Sequence, residues 1–350
     1  MYMLTEFNRL FPAPRYLTMP HAGIHVSDEA IYAVEYKATP RGYEIKTAIN
    51  EPLPTGAIES GYIHDPKAVQ ATLEKIKKQL STHFIAACLP EEKMYLFRTE
   101  VPVGQSHSEI RQNIEFKLEE NVPVSPAEAL FDFELIPGTQ EASVSVVPIK
   151  VVDAYKAVFE NAGYIVTSFN NEAKAISRAV FSDTQKHNKT YVILHSMGSK
   201  TGIYVVSRGI VCFTSTVPYG GNSITDAIAK AFNVSREEAL KIKKEKGATD
   251  TKESRTVFEA ASNTISVIKD ELVRVVQYWE SHEGKLGAIT SVVLCGHDTL
   301  ITGFSAYITR NTNIPAEMAH AWNAIDHDGY VPHIERVDSL DYVSAAGLAL

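Results

Sequence analysis

Residues 22–36 read AGIHVSDEAIYAVEY, and residues 190–206 read TYVILHSMGSKTGIYVV. Each stretch is an apolar run, a short turn of polar or small residues, and a second apolar run. That is the pattern of two strands around a tight turn. In the first, Ile24 and Val26 precede a turn at Ser27 and Asp28, and Ile31, Ala33 and Val34 follow it. In the second, residues 191–194 form a strand, residues 195–200 the turn, and residues 202–206 the return strand. A third strand follows each unit, at residues 43–48 and 210–217. Two such units about half a chain apart point to an internal duplication.

Helices are predicted on either side of these units. Val69, Leu73, Ile76 and Leu80 make one face of a helix over residues 66–80. Ile110, Ile114 and Leu118 do the same over 109–120, with Pro123 soon after its end. Ser223 with Asp226, and Ser235 with Glu238, have the spacing of helix-starting caps. Residues 262–280 carry Ile265, Ile268, Leu272, Val275, Val276 and Trp279 on one side, a core stripe. A buried strand over 291–294 runs into Cys295-Gly296-His297-Asp298, and a helix is expected from about Leu300.

The chain has 350 residues, 45% of them hydrophobic, enough to bury the cores of two or more domains. Its formal net charge of −8 disfavours nucleic acid, which needs a basic surface. Cys88, Cys212 and Cys295 are far apart and set in apolar runs, as buried thiols in a reducing compartment would be. No apolar run is long enough to span a membrane, and Glu6, Asn8 and Arg9 interrupt any secretory signal. The expectation is a cytoplasmic protein. Residues 1–20 read as an arm, with Leu4, Phe7, Leu10 and Phe11 at helical spacing until Pro12 and Pro14. A membrane-surface helix and a segment docked on its own core both fit that pattern.

Two strand hairpins followed by a strand, a glycine turn and a helix resemble the order of the actin-like ATPase fold. The fold class expected is therefore α/β, with duplicated ribonuclease-H-like halves and a small α+β subdomain inserted in the first half. In that fold two hairpins grip the nucleotide phosphates, and the late glycine turn holds the adenosine. Tight turns make anion-binding nests of backbone N–H groups, and carboxylates at strand ends hold Mg²⁺ through its waters.

Within that class the chain resembles PilM-like proteins of type IV pilus assembly. Gly23-Ile24-His25-Val26-Ser27-Asp28 resembles their first phosphate motif, and Leu53-Pro54-Thr55-Gly56 with Gly61-Tyr62-Ile63 the stretch after the third strand. Leu89-Pro90-Glu91-Glu92, Ile114-Glu115, Val122-Pro123 and Asp132 resemble the inserted subdomain. Ala162-Gly163-Tyr164 with Glu172, Ala173 and Arg178 resembles the return to the core, and Tyr219-Gly220-Gly221-Asn222 the connector after the second hairpin. Ala346-Gly347-Leu348-Ala349 resembles the last helix. The divisions implied are an arm at 1–20, a first half of 21–85 plus 166–187, an insertion at 86–165, and a second half at 188–350 whose last helix packs back on the first.

The resemblance also marks departures. His25 stands where an Asp is usual, and His195 where an Asp or Asn is usual. Met197 replaces a Gly, Gly296-His297 a Gly-Gly pair followed by Asp298, and Ala239-Leu240 an Ala-Glu pair, while Lys243 keeps its offset. Histidine cannot replace a carboxylate as an oxygen ligand for Mg²⁺. Met197 is expected to put bulk into a turn built for close backbone approach. Leu240 cannot accept a hydrogen bond from a ribose hydroxyl.

The degenerate nucleotide pocket implied comprises Gly23, His25, Ser27, Asp28, His195, Met197, Gly198, Ser199, Thr201, Gly220, Gly221, Lys243, Gly296, His297 and Asp298. No catalytic residue and no metal site are expected. His25 and His195 are read as structural, since no Gly-x-Ser-x-Gly elbow accompanies them. His297-Asp298 and Asp326-His327-Asp328 are read as surface turns.

What the resemblance implies is a non-enzymatic scaffold that binds ATP and Mg²⁺ weakly or not at all. By that resemblance it would hold the cytoplasmic N-terminal peptide of a PilN-like inner-membrane protein in a groove between the inserted subdomain and the core, and so reach the membrane indirectly. A pilus assembly ATPase and further copies of the chain are admitted as partners. The alternatives are an active ATPase or sugar kinase of the same fold, and an FtsA-like division scaffold. A kinase needs the carboxylates altered here, and FtsA-like proteins carry a C-terminal amphipathic anchor.

Overall fold

The computed structural model describes residues 20–39, 42–181, 189–247, 252–282, 286–322, 334 and 336–350. The arm, apart from Pro20, and Asp326-His327-Asp328 lie outside the described residues.

β1 (Ala22–Val26) pairs antiparallel with β2 (Ala30–Thr39), and β3 (Gly42–Pro52) pairs with the far side of β2. Ser27 closes the first turn: its hydroxyl donates to Ala30 O and accepts from the Glu29 and Ala30 amides. β4 (Ile58–Glu59) and β5 (Tyr62–Ile63) make a small ladder before α1 (Pro66–Lys77). Asp65 caps α1 by accepting from the Lys67 and Ala68 amides, and Pro66 fits the first turn, where no amide is needed. Val69, Leu73 and Ile76 bury its inner face. β6 (Phe84–Cys88) then runs parallel to β1.

The chain now leaves the first half. β7 (Tyr95–Glu100), α2 (His107–Asn121), β8 (Ala129–Leu135) and β9 (Glu141–Pro148) form a separate unit, a sheet in the order β7-β9-β8 with α2 on it. Ser106 and Glu109 form a reciprocal cap on α2, and Ile110, Ile114 and Leu118 are buried against Phe133, Val144 and Val146. α3 (Ile149–Asn161) and β10 (Ile165–Asn170) return to the first half, completing the sheet β10-β6-β1-β2-β3. The insertion is therefore narrower than the expected 86–165. β6 lies between β1 and β10, and Val151, Tyr155, Val158 and Phe159 of α3 pack in the first half's core.

α4 (Glu172–Val180), capped by Asn171, leads into the second half. There β11 (Thr190–Met197), β12 (Lys200–Ser207) and β13 (Ile210–Val217) repeat the antiparallel trio. α5 (Gly221–Phe232), α6 (Arg236–Gly247) and α7 (Lys252–His282) follow. β14 (Ile289–Cys295) runs parallel to β11, α8 (Phe304–Thr312) crosses over, and β15 (Ala316–Met318) runs parallel to β14. The second sheet, β13-β12-β11-β14-β15, has the same order as β3-β2-β1-β6-β10. The duplication read from the two hairpins is thus a duplication of whole sheets.

Several elements differ from expectation for identifiable reasons. β11 continues through His195 to Met197, because both are buried and extended, so the turn is only Gly198 and Ser199. Ser223 lies inside α5, which starts at Gly221 with Gly220 before it, whereas Ser235 accepts the Glu238 amide as expected. α7 starts ten residues earlier than its clearest stripe, with Val257 and Ala261 extending the buried face. The helix expected from Leu300 begins at Phe304, since Gly303 at φ +90° interrupts it.

The last helix, α9 (Val343–Leu348), sits between the halves. A Cβ on Gly347 would lie 1.7 Å from Ala175 O, and one on Gly23 would lie 2.0 Å from Ala345 O. α9 therefore approaches both α4 and β1 at backbone contact distance, which only glycine at these positions permits. The three cysteines are buried, on β6, β13 and β14. Among the described residues, no helix is long and apolar enough to cross a membrane.

Candidate functional site

Glu172 opens α4 at the junction of the halves and is 3% exposed. Its Oε1 lies 2.9 Å from His25 Nε2 and 3.2 Å from His195 Nδ1. Its Oε2 accepts from the Tyr204 hydroxyl at 3.0 Å, and Ser344 Oγ lies 3.5 Å from Oε1. One carboxylate therefore gathers groups from β1, β11, β12 and α9. Burial pushes its pKa up, but the imidazoles of His195 and His25 outweigh burial and hold it well below the usual range. His25 Nδ1 and His195 Nε2 are buried with no hydrogen-bond partner among the described residues. Beside this group, Glu91 accepts the Glu172 amide. Burial, and then repulsion by Glu172, raise the Glu91 pKa to about 7.

The first turn reaches across to the second. The Asp28 carboxylate accepts the Ser199 amide at 3.2 Å, and a Cβ on Gly198 would lie 2.4 Å from Asp28 Oδ1. Gly198 has φ +62°, so its turn is a backbone nest with a carboxylate already placed against it. Lys200 next to this turn pairs with Glu92.

A second carboxylate stands at the start of α5. A Cβ on Gly221 would lie 1.9 Å from Asp298 Oδ2. Lys243 Nζ is 2.7 Å from Asp298 Oδ1 and 3.1 Å from Gly221 O. His297 Nε2 lies 3.1 Å from Asp298 Oδ1, and its Nδ1 lies 2.9 Å from Asp341 Oδ1. Burial disfavours the charged imidazole, yet Asp298 and Asp341 override it and raise the His297 pKa to about 10. Burial also opposes ionisation of Asp298, but His297 and Lys243 lower its pKa to about 2. Gly296, at φ +84°, brings the turn onto Ser196 O.

Beside this network the cleft between the halves holds a cavity of about 810 Å³, whose lining includes Glu29, Tyr32, Asn222, Leu240, Lys244 and Tyr342. A second cavity, of about 390 Å³, lies between the insertion and the first half. Its lining includes residues 130–134 of β8, residues 168–171, Leu89, Met94, Val147 and Lys174.

The structure sorts the sequence-derived residues into separate groups, and of them Gly221, Lys243, His297 and Asp298 line the cavity between the halves. His25 and His195 meet through Glu172, Asp28 meets Gly198 and Ser199, and Lys243, His297 and Asp298 meet beside Gly220 and Gly221. Gly23 faces α9 and Thr201 bonds to Ser196 and Tyr219 O inside the second half, so neither borders the cleft. Met197 does not crowd the turn: it is 5% exposed in the core between the halves, and Gly198 takes the positive φ. Glu172, read in the sequence only as part of the return to the core, is the central residue that the sequence leaves out of the site. An acidic residue after an Asn cap reads as a partner of the helix dipole, and only folding brings it to two distant histidines. Asp341 was missed for the same reason.

The chain matches the family model described as type IV pilus assembly protein PilM over residues 23–350. Among solved structures it is similar to the PilM-PilN type IV pilus biogenesis complex, with a TM-score of 0.80 and 17% identity over 96% of this chain and 98% of that one. It is also similar to the ethanolamine utilization protein EutJ from Carboxydothermus hydrogenoformans, with a TM-score of 0.56 and 16% identity over 94% and 89%. MreB5 of Spiroplasma citri bound to ADP has a TM-score of 0.57 and 14% identity over 93% and 94%. At these identities the structures establish a shared actin-like fold.

Proposed function

The chain belongs to the type IV pilus assembly protein PilM family, and from that premise we propose that it is a non-enzymatic adaptor of a pilus machine. It works at the inner face of the membrane, held there by the cytoplasmic N-terminal peptide of a PilN-like protein. That peptide lies in the cavity between the insertion and the first half. The cavity between the halves turns over no ATP.

The observation that carries the non-enzymatic reading is that the chain's own Asp28 carboxylate stands against the second turn. Asp28 accepts the Ser199 amide in the second turn, and Asp298 stands at the start of α5, tied to Lys243. A phosphate entering that turn would have to displace Asp28. The residues at the metal position do not fit Mg²⁺ either. His25 and His195 offer nitrogen where the ion takes oxygen, and Glu172, the nearby carboxylate, is already bound to both. Phosphoryl transfer relies on positioned metal and charge neutralisation, and this set supplies neither.

For the adaptor reading, support comes from the PilN-bound neighbour and from the cavity beside the insertion. Titration calorimetry with the synthetic N-terminal peptide of the PilN-like protein from the same cell tests it. Saturable one-to-one binding is expected. Absence of binding, with no PilN-like protein recovered when the full chain is captured from its own cells, removes the proposal.

A further inference from the structure

Two apolar side chains of the insertion stand out in solvent. Phe116 on α2 is 83% exposed, and Val103, in the loop between β7 and α2, is 81% exposed. Among the described residues the next most exposed large apolar side chain, Leu135, reaches only 54%. One exposed apolar residue needs no explanation, but these two share a surface. Lys117 Nζ donates to Thr99 Oγ1 at 2.7 Å, and Asn113 Nδ2 donates to Gln105 Oε1 at 3.0 Å. The loop is thereby tied at both ends to the turn of α2 that runs from Asn113 to Lys117. Val103 lies between the two ties and Phe116 lies on that turn, so the fold holds both at one place.

That place is surrounded by negative charge. Glu119 and Glu120 lie one turn beyond Phe116 on the same side of α2, Glu115 precedes it, and Glu100 opens the loop; all of them are exposed. None of these carboxylates has an ion-pair partner among the described residues. Residues 100–121 carry five carboxylates against Arg111 and Lys117. Both of those cations are engaged, Lys117 with Thr99 and Arg111 over the Phe131 ring at 4.5 Å.

We infer that this patch docks a basic protein partner: Phe116 enters an apolar pocket of that partner, and Lys and Arg side chains around the pocket meet Glu100, Glu115, Glu119 and Glu120. An aromatic side chain standing on a capped helix is the kind of anchor that carries binding energy at an interface, and the carboxylates around it select the partner by charge. The same charges disfavour other occupants. A second copy meeting through the same patch would set carboxylate against carboxylate, and a copy offering any other face carries the chain's net charge of −8. An anionic membrane surface is repelled likewise. None of these residues lines the cavity beside β8. The loop leaves β7, which lies at the opposite edge of the β7-β9-β8 sheet from β8. The patch is therefore separate from the proposed peptide groove, and the inference does not rest on that groove being filled.

Photo-cross-linking of the full chain in its own cells tests this, with p-benzoylphenylalanine placed at Phe116 and, as a control, at Tyr278, which is exposed on α7. The protein linked from Phe116 and not from Tyr278 is then purified and titrated against the parent chain, Phe116→Ser, and the double variant Glu119→Lys with Glu120→Lys. A Lys- and Arg-rich partner is expected, with affinity falling at least roughly tenfold in each variant and falling with added salt in the parent. Because Phe116 is exposed, Phe116→Ser should melt with the parent, so a loss of binding is not a loss of fold. The inference fails if no adduct is specific to Phe116, if the adduct is with a lipid or a second copy of this chain, or if the linked protein binds the parent and Phe116→Ser equally.

Discussion

The Glu172 carboxylate and His195 Nδ1 are 3.2 Å apart across the boundary between the two halves, and the same oxygen meets His25 at 2.9 Å. A carboxylate on the connecting helix and one imidazole from each hairpin thus tie the two halves together. The two halves are consequently held by side chains that are always present.

Replacing Glu172 tests that clamp. Glu172→Ala leaves two buried imidazoles and the Tyr204 hydroxyl without their acceptor. Breaking such a buried group costs on the order of 3–5 kcal/mol. Glu172→Gln, which keeps a carbonyl acceptor, should lose less. Urea unfolding measures both, and small-angle scattering reports whether the halves swing apart. A Glu172→Ala variant as stable as the parent, with unchanged scattering, would remove the clamp.

The proposed non-enzymatic reading makes a prediction for nucleotide. Mg-ATP titrated into the chain should bind more weakly than roughly 100 μM, if at all. No metal-dependent phosphate release should follow. Low-micromolar affinity with turnover would overturn the non-enzymatic reading while leaving the fold and the docking groove standing.

His297 gives a pH dependence with a definite sign. Its pKa rises from 6.5 to about 10 in the folded protein. The stabilisation is therefore complete below about pH 6.5 and is lost as pH rises through about 10. Asp298, lowered from 3.8 to about 2, behaves oppositely and loses its contribution only as pH falls through that value. The melting temperature should fall between pH 7 and 10 more steeply in the parent than in His297→Gln. Parallel curves for the two would contradict the network.

Gly347 tests the seating of α9. A Cβ there would lie 1.7 Å from Ala175 O, a backbone atom that cannot rotate away. Gly347→Ala should cost about 1–3 kcal/mol through forced displacement of packed elements. Denaturant unfolding reads the loss, and a neutral result would show that α9 does not seat as described.

The fold was largely legible in the chain. Alternating apolar residues around two short turns have period two, and that period fixes strands wherever one face is buried. The duplication was visible because both halves solve the same packing problem with similar local patterns. The insertion's helix was legible from Ile110, Ile114 and Leu118, though the insertion's limits were not. β6 and α3 belong to the first half by whom they pair with and pack on, and pairing is not a local property.

The site divides along the same line. The sequence, set beside the family it resembles, determined that His25 and His195 stand where carboxylates are usual, because residue identity at a motif position is local information. Only the tertiary structure decided what replaced them. Glu172 reaches those histidines from 147 positions after His25 and 23 before His195 in the chain, and Asp341 reaches His297 across 44. A buried charge is settled by whichever partners folding brings within hydrogen-bond reach. No period or spacing along the chain records that choice, because it depends on how two separately patterned halves dock against α4 and α9.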